Sequence, residues 1–297
     1  MELDQVTAFL EVARQHSFSR AAEKLYRTQP AISAQIRALE QEFGQKLFDR
    51  SGRKIFLTPA GEVLYEYGEK LVALHRETLQ RVREAQDIVA GKLVVGANEA
   101  TCLYVLPLVF AGFKRKYPQV GISIYRNFSH KILQKMAEHQ VDIGIVTLPV
   151  SQNNLKVMPI FEDELQVVVP AKHPLTKRAA VKIEDLIPEP LIFPKGGHTR
   201  ELLDKIFREY QNQLHISMEL ASVESIKKFV GAGLGISLLS RTYAEMETKA
   251  GILKLVPLQG MKLVRRLGLV YRTDHHLSRA VQAFAEAAVA VHGKLSA

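Results

Sequence analysis

The chain has one cysteine, Cys102, among its 297 residues, so no disulfide can form within it. That excludes the disulfide-stapled secreted classes and fits a reducing compartment. Long apolar runs are also missing. An uncharged run such as residues 229–239 falls far short of the ~20 residues a bilayer span needs. The opening Met1-Glu2-Leu3-Asp4 is acidic and lacks a basic-then-apolar leader, so a cytoplasmic location with no membrane partner is expected. No nucleophile–base arrangement, metal-spaced cluster or phosphate-cradling loop stands out, and neither catalytic residues, metal nor cofactor is expected. The glycines of Gly231-Ala232-Gly233-Leu234-Gly235 precede an apolar run instead of following a strand and opening a helix. They read as a helix stop and tight turn, not a dinucleotide loop. His275-His276 has no third ligand nearby.

Apolar residues at 47% are ample for globular cores, and 297 residues point to two or three folded units. Net charge is +9 at pH 7, which invites a nucleic-acid reading, but its distribution does not carry that reading. Residues 1–90 hold 13 Lys plus Arg and 13 Asp plus Glu, so the whole excess lies beyond them. The useful basic groups are local: Arg20, Arg27 and Arg37, then Arg50, Arg53 and Lys54. Such a head binds random DNA modestly and gains affinity by pairing with a second copy.

Residues 18–37, FSRAAEKLYRTQPAISAQIR, organise the N-terminal third. Ser19 is the expected cap of a short helix with Ala21, Ala22 and Leu25 inward. Tyr26 and Arg27 make a turn. Thr28 can cap a second helix with Pro30 in its first turn, where a missing N–H costs nothing. Ile32, Ile36 and Leu39 fall inward at helical spacing, leaving Gln29, Ser33, Gln35 and Arg37 outward. A helix, a tight turn and a second helix with small polar groups near its start is a helix-turn-helix. Gln pairs with adenine edges, Ser serves either edge, and Arg forks onto guanine or grips a phosphate. An ordinary helical hairpin with a solvated face is the competing reading.

The run FLEVARQHSFSRAAEKLYRTQPAISAQIRALEQEFGQKLFDR followed by LTPAGEVLYEYG resembles the DNA-binding domain of LysR-type transcriptional regulators. Ala34 stands where relatives usually carry a basic or polar residue. Around this match, residues 3–15 read as a first helix with Leu3, Val6, Phe9, Leu10 and Ala13 inward. Residues 46–48 and 54–57 flank Arg50-Ser51-Gly52-Arg53 as a basic-tipped hairpin, a wing for a minor groove or phosphate; a solvated basic turn is the alternative. Thr58-Pro59 opens a helix with no breaker before Gly91. Leu64, Tyr67, Leu71 and Leu74, then Val82, Ala85 and Val89 after a slip, form a narrow seam for a second copy. A helix packed on its own domain is the competing reading.

From Lys92 the period changes. Strands are expected at residues 93–97, 121–125, 141–147, 165–169, 191–193, 216–220, 236–239 and 267–271. Helices are expected at 103–116, 131–139, 199–210, 223–232, 240–247 and 277–292, which together indicate parallel βαβ units. The strings VDIGIV, GAGLGISLL and LGLVYR are similar to the effector-binding domain of the same family. The resemblance implies an N-terminal winged helix-turn-helix (mainly α), a long linker helix, and a C-terminal α/β periplasmic-binding-protein-like (type 2) domain with two subdomains. Its boundaries would be 1–58, 59–90 and 91–297, with subdomains 91–162 plus 267–297 and 163–266, and crossovers near 162–164 and 265–267.

In open parallel sheets a ligand sits beyond the strand ends, facing helix starts. Four segments meet that description: Asn98, Glu99, Ala100 and Thr101; Phe128 and Ser129; Thr147; and Gly197, His198 and Thr199. In the family these positions line an effector cleft, though any single Thr also reads as a helix cap. Glu99 departs from the hydroxyl-rich loop of relatives and would repel an anion or contact a cationic or hydroxylated ligand, whereas Arg200 favours a carboxylate or phosphate; with the helix N-termini adding partial positive charge, a small anionic co-inducer is expected. Cys102 reads as a small buried apolar side chain rather than a redox thiol. The expected function is a sequence-specific regulator that binds double-stranded DNA as a homodimer assembling to a homotetramer and senses a small-molecule effector. An α/β enzyme or solute-binding protein with an appended DNA-binding-like domain is the alternative.

Overall fold

The computed structural model describes residues 1–49, 55–84, 89–151, 153–274 and 277–295, and the chain forms two compact units, Met1–Ile88 and Val89–Ala297. In the first, α1 (Leu3–Gln15) buries Val6, Phe9 and Leu10 along one stripe. Helix α2 (Phe18–Lys24) is capped by Ser17, not Ser19: the Ser17 Oγ accepts from the Arg20 N–H at 3.3 Å. The earlier start puts Phe18 inside the helix, where its ring meets Phe48 edge-on, and burying that ring outweighs the choice between two equivalent hydroxyl caps. Ala21 and Ala22 expose almost no surface and let α3 (Gln29–Phe43) approach closely. The turn between them holds Tyr26 at φ 54°, a left-handed conformation uncommon for an aromatic residue.

Ile32, Ile36 and Leu39 of α3 are fully buried. Ser33, expected outward, is buried beside them, because a residue one step from Ile32 lies at the edge of the inner stripe. Gly44, at φ 63°, ends the helix. The buried Glu40 carboxylate accepts from the Leu47 N–H at 3.0 Å and Lys46 Nζ at 3.2 Å, setting the path into an antiparallel hairpin, β1 (Phe48–Asp49) and β2 (Phe56–Leu57). The wing candidates Arg50, Arg53 and Lys54 lie outside the described residues.

Helix α4 (Pro59–Glu84) starts under Thr58, whose Oγ accepts from the Gly61 N–H at 3.0 Å. A Cβ at Gly61 would stand 2.1 Å from the Leu47 carbonyl oxygen, so only glycine permits this approach. The long helix has two faces. Leu64 is 8% exposed within the first core, and Arg14 pairs with Glu69 at 2.8 Å. Leu64 therefore belongs to its own domain rather than to a seam. Val63, Tyr67, Leu71, Leu74, Leu79 and Val82 are exposed, Tyr67 and Leu74 by 58% and 60%. Ala85 lies outside the described residues, and residues 89 and 90 are not helical.

In the second unit, β3 (Gly91–Ala97) leads into two short helices, α5 (Glu99–Tyr104) and α6 (Leu106–Lys116). One continuous helix was expected there; Pro107 sits in the first turn of α6, where it has displaced the ladder of α5. Then follow β4 (Val120–Arg126), α7 (Ser129–Ala137), β5 (Ile143–Thr147) and a 16-residue β6 (Leu155–Pro170). Beyond it come β7 (Leu191–Pro194), α8 (His198–Ile206), β8 (Ile216–Leu220), α9 (Val223–Gly231), β9 (Ser237–Ser240), α10 (Glu245–Lys249) and β10 (Leu253–Val256). The chain closes with β11 (Leu263–Arg272) and α11 (Arg279–Leu295).

The sheet is mixed, not parallel throughout. Its order is β10-β6-β11-β5-β3-β4 with β9 also on β6; only β3 with β4 and β5 are parallel pairs in it. Strand β11 runs antiparallel to both β5 and β6. The first half of β6 escaped the sequence pattern because Pro159 interrupts it. The proline sits opposite Gly268, at a register shift, where a residue without an N–H is tolerated. Strands β6 and β11 connect two apolar cores. One gathers Leu93, Val95, Phe113, Ile145 and Phe284; the other gathers Val167, Val169, Phe193, Leu203 and Ile236.

Candidate DNA-reading helix and effector cleft

At the start of α3, Gln29 and Pro30 are exposed, and the Gln29 amide Nε2 donates to the Ser33 Oγ at 2.9 Å. Ser33 thus holds the glutamine from behind instead of standing beside it. Gln35 is half-buried and its Oε1 has no hydrogen-bond partner. Arg37 is exposed, with its Nε 3.3 Å from the Ser33 carbonyl. Arg27 is paired with Asp4 at 2.8 Å. Two further residues are exposed in this stretch: Ala34, whose methyl suits a thymine methyl, and Tyr26 in the preceding turn, 97% exposed. Tyr26 carried no sequence signal beyond its place in the turn.

In the second unit a cavity of about 380 Å³ is walled by the segments that follow β3, β4, β5, β7 and β8, with Leu239 and Ser240 of β9, Tyr243, and Arg265 of β11. Every sequence-predicted effector residue lines it except Thr101, which is fully buried with its Oγ lacking a partner. The backbone N–H of Thr101 instead donates to the Asn98 Oδ1 at 2.9 Å, capping α5. The Ser129 Oγ accepts from the Thr147 N–H at 3.1 Å, tying the start of α7 to the end of β5. The Glu99 carboxylate accepts from the Ser222 Oγ at 3.1 Å. Phe128 lies against Gly197, where a Cβ would meet the ring at 3.1 Å; this glycine, at φ 82°, opens the way to α8.

Burial pushes the His198 imidazole below its ordinary pKa; Glu201 opposes this and Arg265 adds to it. Burial likewise raises the Cys102 thiol, with Arg126 opposing and Glu99 adding, so the thiolate is disfavoured there. Arg200, expected to attract an anion, does not line the cavity. It is held by Asp204 at 2.8 Å, by Glu219 and by the Pro194 carbonyl at 3.2 Å. The cationic side chain in the wall is Arg265 of β11, which sequence reasoning had used only to mark a crossover. Among the described residues no helix is long and apolar enough to cross a membrane.

Residues 3–62 match the family model described as bacterial regulatory helix-turn-helix protein, lysR family, and residues 86–292 match that of the LysR substrate binding domain. A probable RuBisCO transcriptional regulator of Trichormus variabilis is 34% identical over 291 residues, covering 96% of this chain and 86% of the relative. A full-length OxyR variant from Pseudomonas aeruginosa superposes with TM-score 0.61 at 25% identity, covering 97% of this chain and 99% of the other. Full-length CbnR, crystallised with its target DNA, has the same fold, with TM-score 0.67 at 20% identity over 97% of this chain and 99% of the other.

Proposed function

The chain belongs to the LysR family of transcriptional regulators, and from that premise we propose how its parts divide the work. Residues 1–58 are the reading head: Gln29, buttressed by Ser33, meets base edges in the major groove, with Pro30 and Ala34 in apolar contact. Arg37 and Tyr26 contact the flanking backbone. Residues 59–90 supply the dimer contact, since the outward stripe Val63, Tyr67, Leu71 and Leu74 steps by three and four residues as a helix–helix seam does, and resumes at Leu79 and Val82 after a slip of five. Dimers pair into tetramers, and the protein acts where its DNA partner is, in the cytoplasm, without catalysis.

A small-molecule co-inducer occupies the cleft of the second unit. The observation that carries this reading is that one cavity takes its wall from two halves of the second unit, from the segments after β3, β4 and β5 on one side and after β7 and β8 on the other. A ligand touching both biases their arrangement, and it switches the protein by the difference in its affinity for two arrangements. The relatives' name, probable RuBisCO transcriptional regulator, makes a RuBisCO promoter the first DNA to test, beside the segment upstream of the protein's own coding sequence. A gel shift on both, with wild type and Gln29→Ala, tests the reading head. Specific retention of either fragment, lost in the variant, supports it; equal retention of scrambled DNA refutes it.

A further inference from the structure

Arg265 is 4% exposed, lines the cleft, and leaves its Nε and Nη2 without a hydrogen-bond partner. Its neighbours on β11 are not in this position: Arg266 pairs with Glu162 and Arg272 with Asp274, each at 2.8 Å. The carboxylate nearest in register is Asp163, opposite Arg265 on β6. Its oxygens are engaged by the Ser240 hydroxyl, by the Thr242 N–H at 3.2 Å and by the Glu164 N–H at 2.8 Å. The guanidinium lies 4.5 Å over the Tyr243 ring, and the Tyr243 hydroxyl, also buried, is near the Arg265 and Thr101 side chains but makes no hydrogen bond of ordinary geometry with either.

A guanidinium cannot escape burial by losing its proton, and buried N–H groups of a cation that face no acceptor oxygen are costly, an aromatic face offsetting only part of the loss. Nε and Nη2 are the adjacent pair whose N–H bonds run parallel, the edge that accepts two oxygens of one carboxylate or phosphoryl group. We propose that Arg265 is the anion anchor of the cleft: the charged end of the effector forks onto Nε and Nη2, with the Tyr243 hydroxyl donating a third bond. This rests on the cleft being the effector site. Glu99 and Glu201 also line the cavity, and they orient the ligand by repelling its charged end toward Arg265. The fork is sealed from solvent before binding, so engaging it requires the wall at Arg265 and Tyr243 to shift. Recognition of charge is thereby coupled to a change in the cleft.

The test uses the full-length protein, titration calorimetry and thermal melts with orthophosphate, succinate and neutral succinamide. Orthophosphate and succinate separate phosphoryl from carboxylate recognition; one of them should bind and raise the melting temperature, and succinamide should not. Arg265→Met keeps the length and removes the charge. It should weaken anion binding at least about tenfold, while the unliganded protein melts at the same or a higher temperature because the unpaired cation is gone. Arg265→Lys keeps the charge without the fork and should fall between. Three outcomes each overturn the anchor: equal anion affinity in wild type and Arg265→Met, preference for succinamide, or no anion binding at millimolar concentration. Lower melting in both variants with anion affinity retained also overturns it, since that marks a structural arginine. Thr199→Val separates the two readings. Binding that needs Thr199 but not Arg265 keeps the cleft and removes the anchor. Anion binding that needs Arg265, is indifferent to Thr199 and leaves DNA affinity unchanged keeps the anchor and removes the effector reading.

Discussion

Ser33→Ala is the substitution for which the structure changes the expectation most. As an outward base-reading residue, Ser33 would lose its own base contact. Buried, with its hydroxyl accepting from the Gln29 amide at 2.9 Å, it acts only by fixing the glutamine. The direct loss belongs to Gln29→Ala, one bidentate base contact worth about 1–3 kcal/mol, or about 5- to 150-fold in Kd. Ser33→Ala frees a rotamer-rich side chain that binding must order again, at about 0.5–1.5 kcal/mol, or about 2- to 12-fold. Because that cost passes through Gln29, it should vanish in a Gln29→Ala background. Fluorescence anisotropy with the duplex retained in the gel shift and a scrambled control, for wild type, both single variants and the double variant, closes the cycle. The scrambled duplex should show little change. An unchanged Ser33→Ala cost in the Gln29→Ala background would refute the buttress.

Leu71→Glu with Leu74→Glu places charges in the exposed stripe of α4 and should yield monomers with weakened DNA affinity; sedimentation showing an unchanged oligomer rules out the seam. Thr101→Val removes a buried hydroxyl that has no partner at nearly constant shape, so it should melt at or above wild type, whereas Thr199→Val should lower co-inducer binding by about 0.5–1.5 kcal/mol in calorimetry. His198, with its folded pKa held below the ordinary 6.5 mainly by burial, contributes stability that is whole above that value and lost as pH falls through the folded one. Melting temperatures measured across that window should drop less toward acid in His198→Gln than in wild type; parallel curves would contradict the assignment.

Much of the reading head was legible because its determinants are local. Pro30, the Ile32–Ile36–Leu39 spacing and Gly44 lie within a few turns of one another, and each fixes a start, a face or an end by itself; Thr28 takes the cap position, but its side chain makes no capping hydrogen bond. The legible part of the cleft was the set of segments that follow β3, β4 and β7, since a strand end followed by a helix start is also a local event, with Thr147 at the end of β5 beside them. The choice between Ser17 and Ser19 as cap was not legible. It depends on where Phe18 packs, and its neighbour Phe48 lies thirty residues away.

Strand direction is decided by the partner strand, not by the strand's own side chains, so the antiparallel course of β6 and β11 could not be read from period-two alternation. The split of α4 into an inward face at Leu64 and an outward one at Leu74 is likewise set by where α1 lies. The cleft's charge shows the same division. In the sequence, Arg200 and Arg265 are both free cations. In the fold Arg200 meets Asp204 and Glu219, while Arg265 stands opposite an aspartate already engaged by other donors. Arg200 finds partners four and nineteen positions along the chain, but what faces Arg265 is set by Asp163 of β6, about a hundred positions earlier, and only the tertiary structure brings those two strands together.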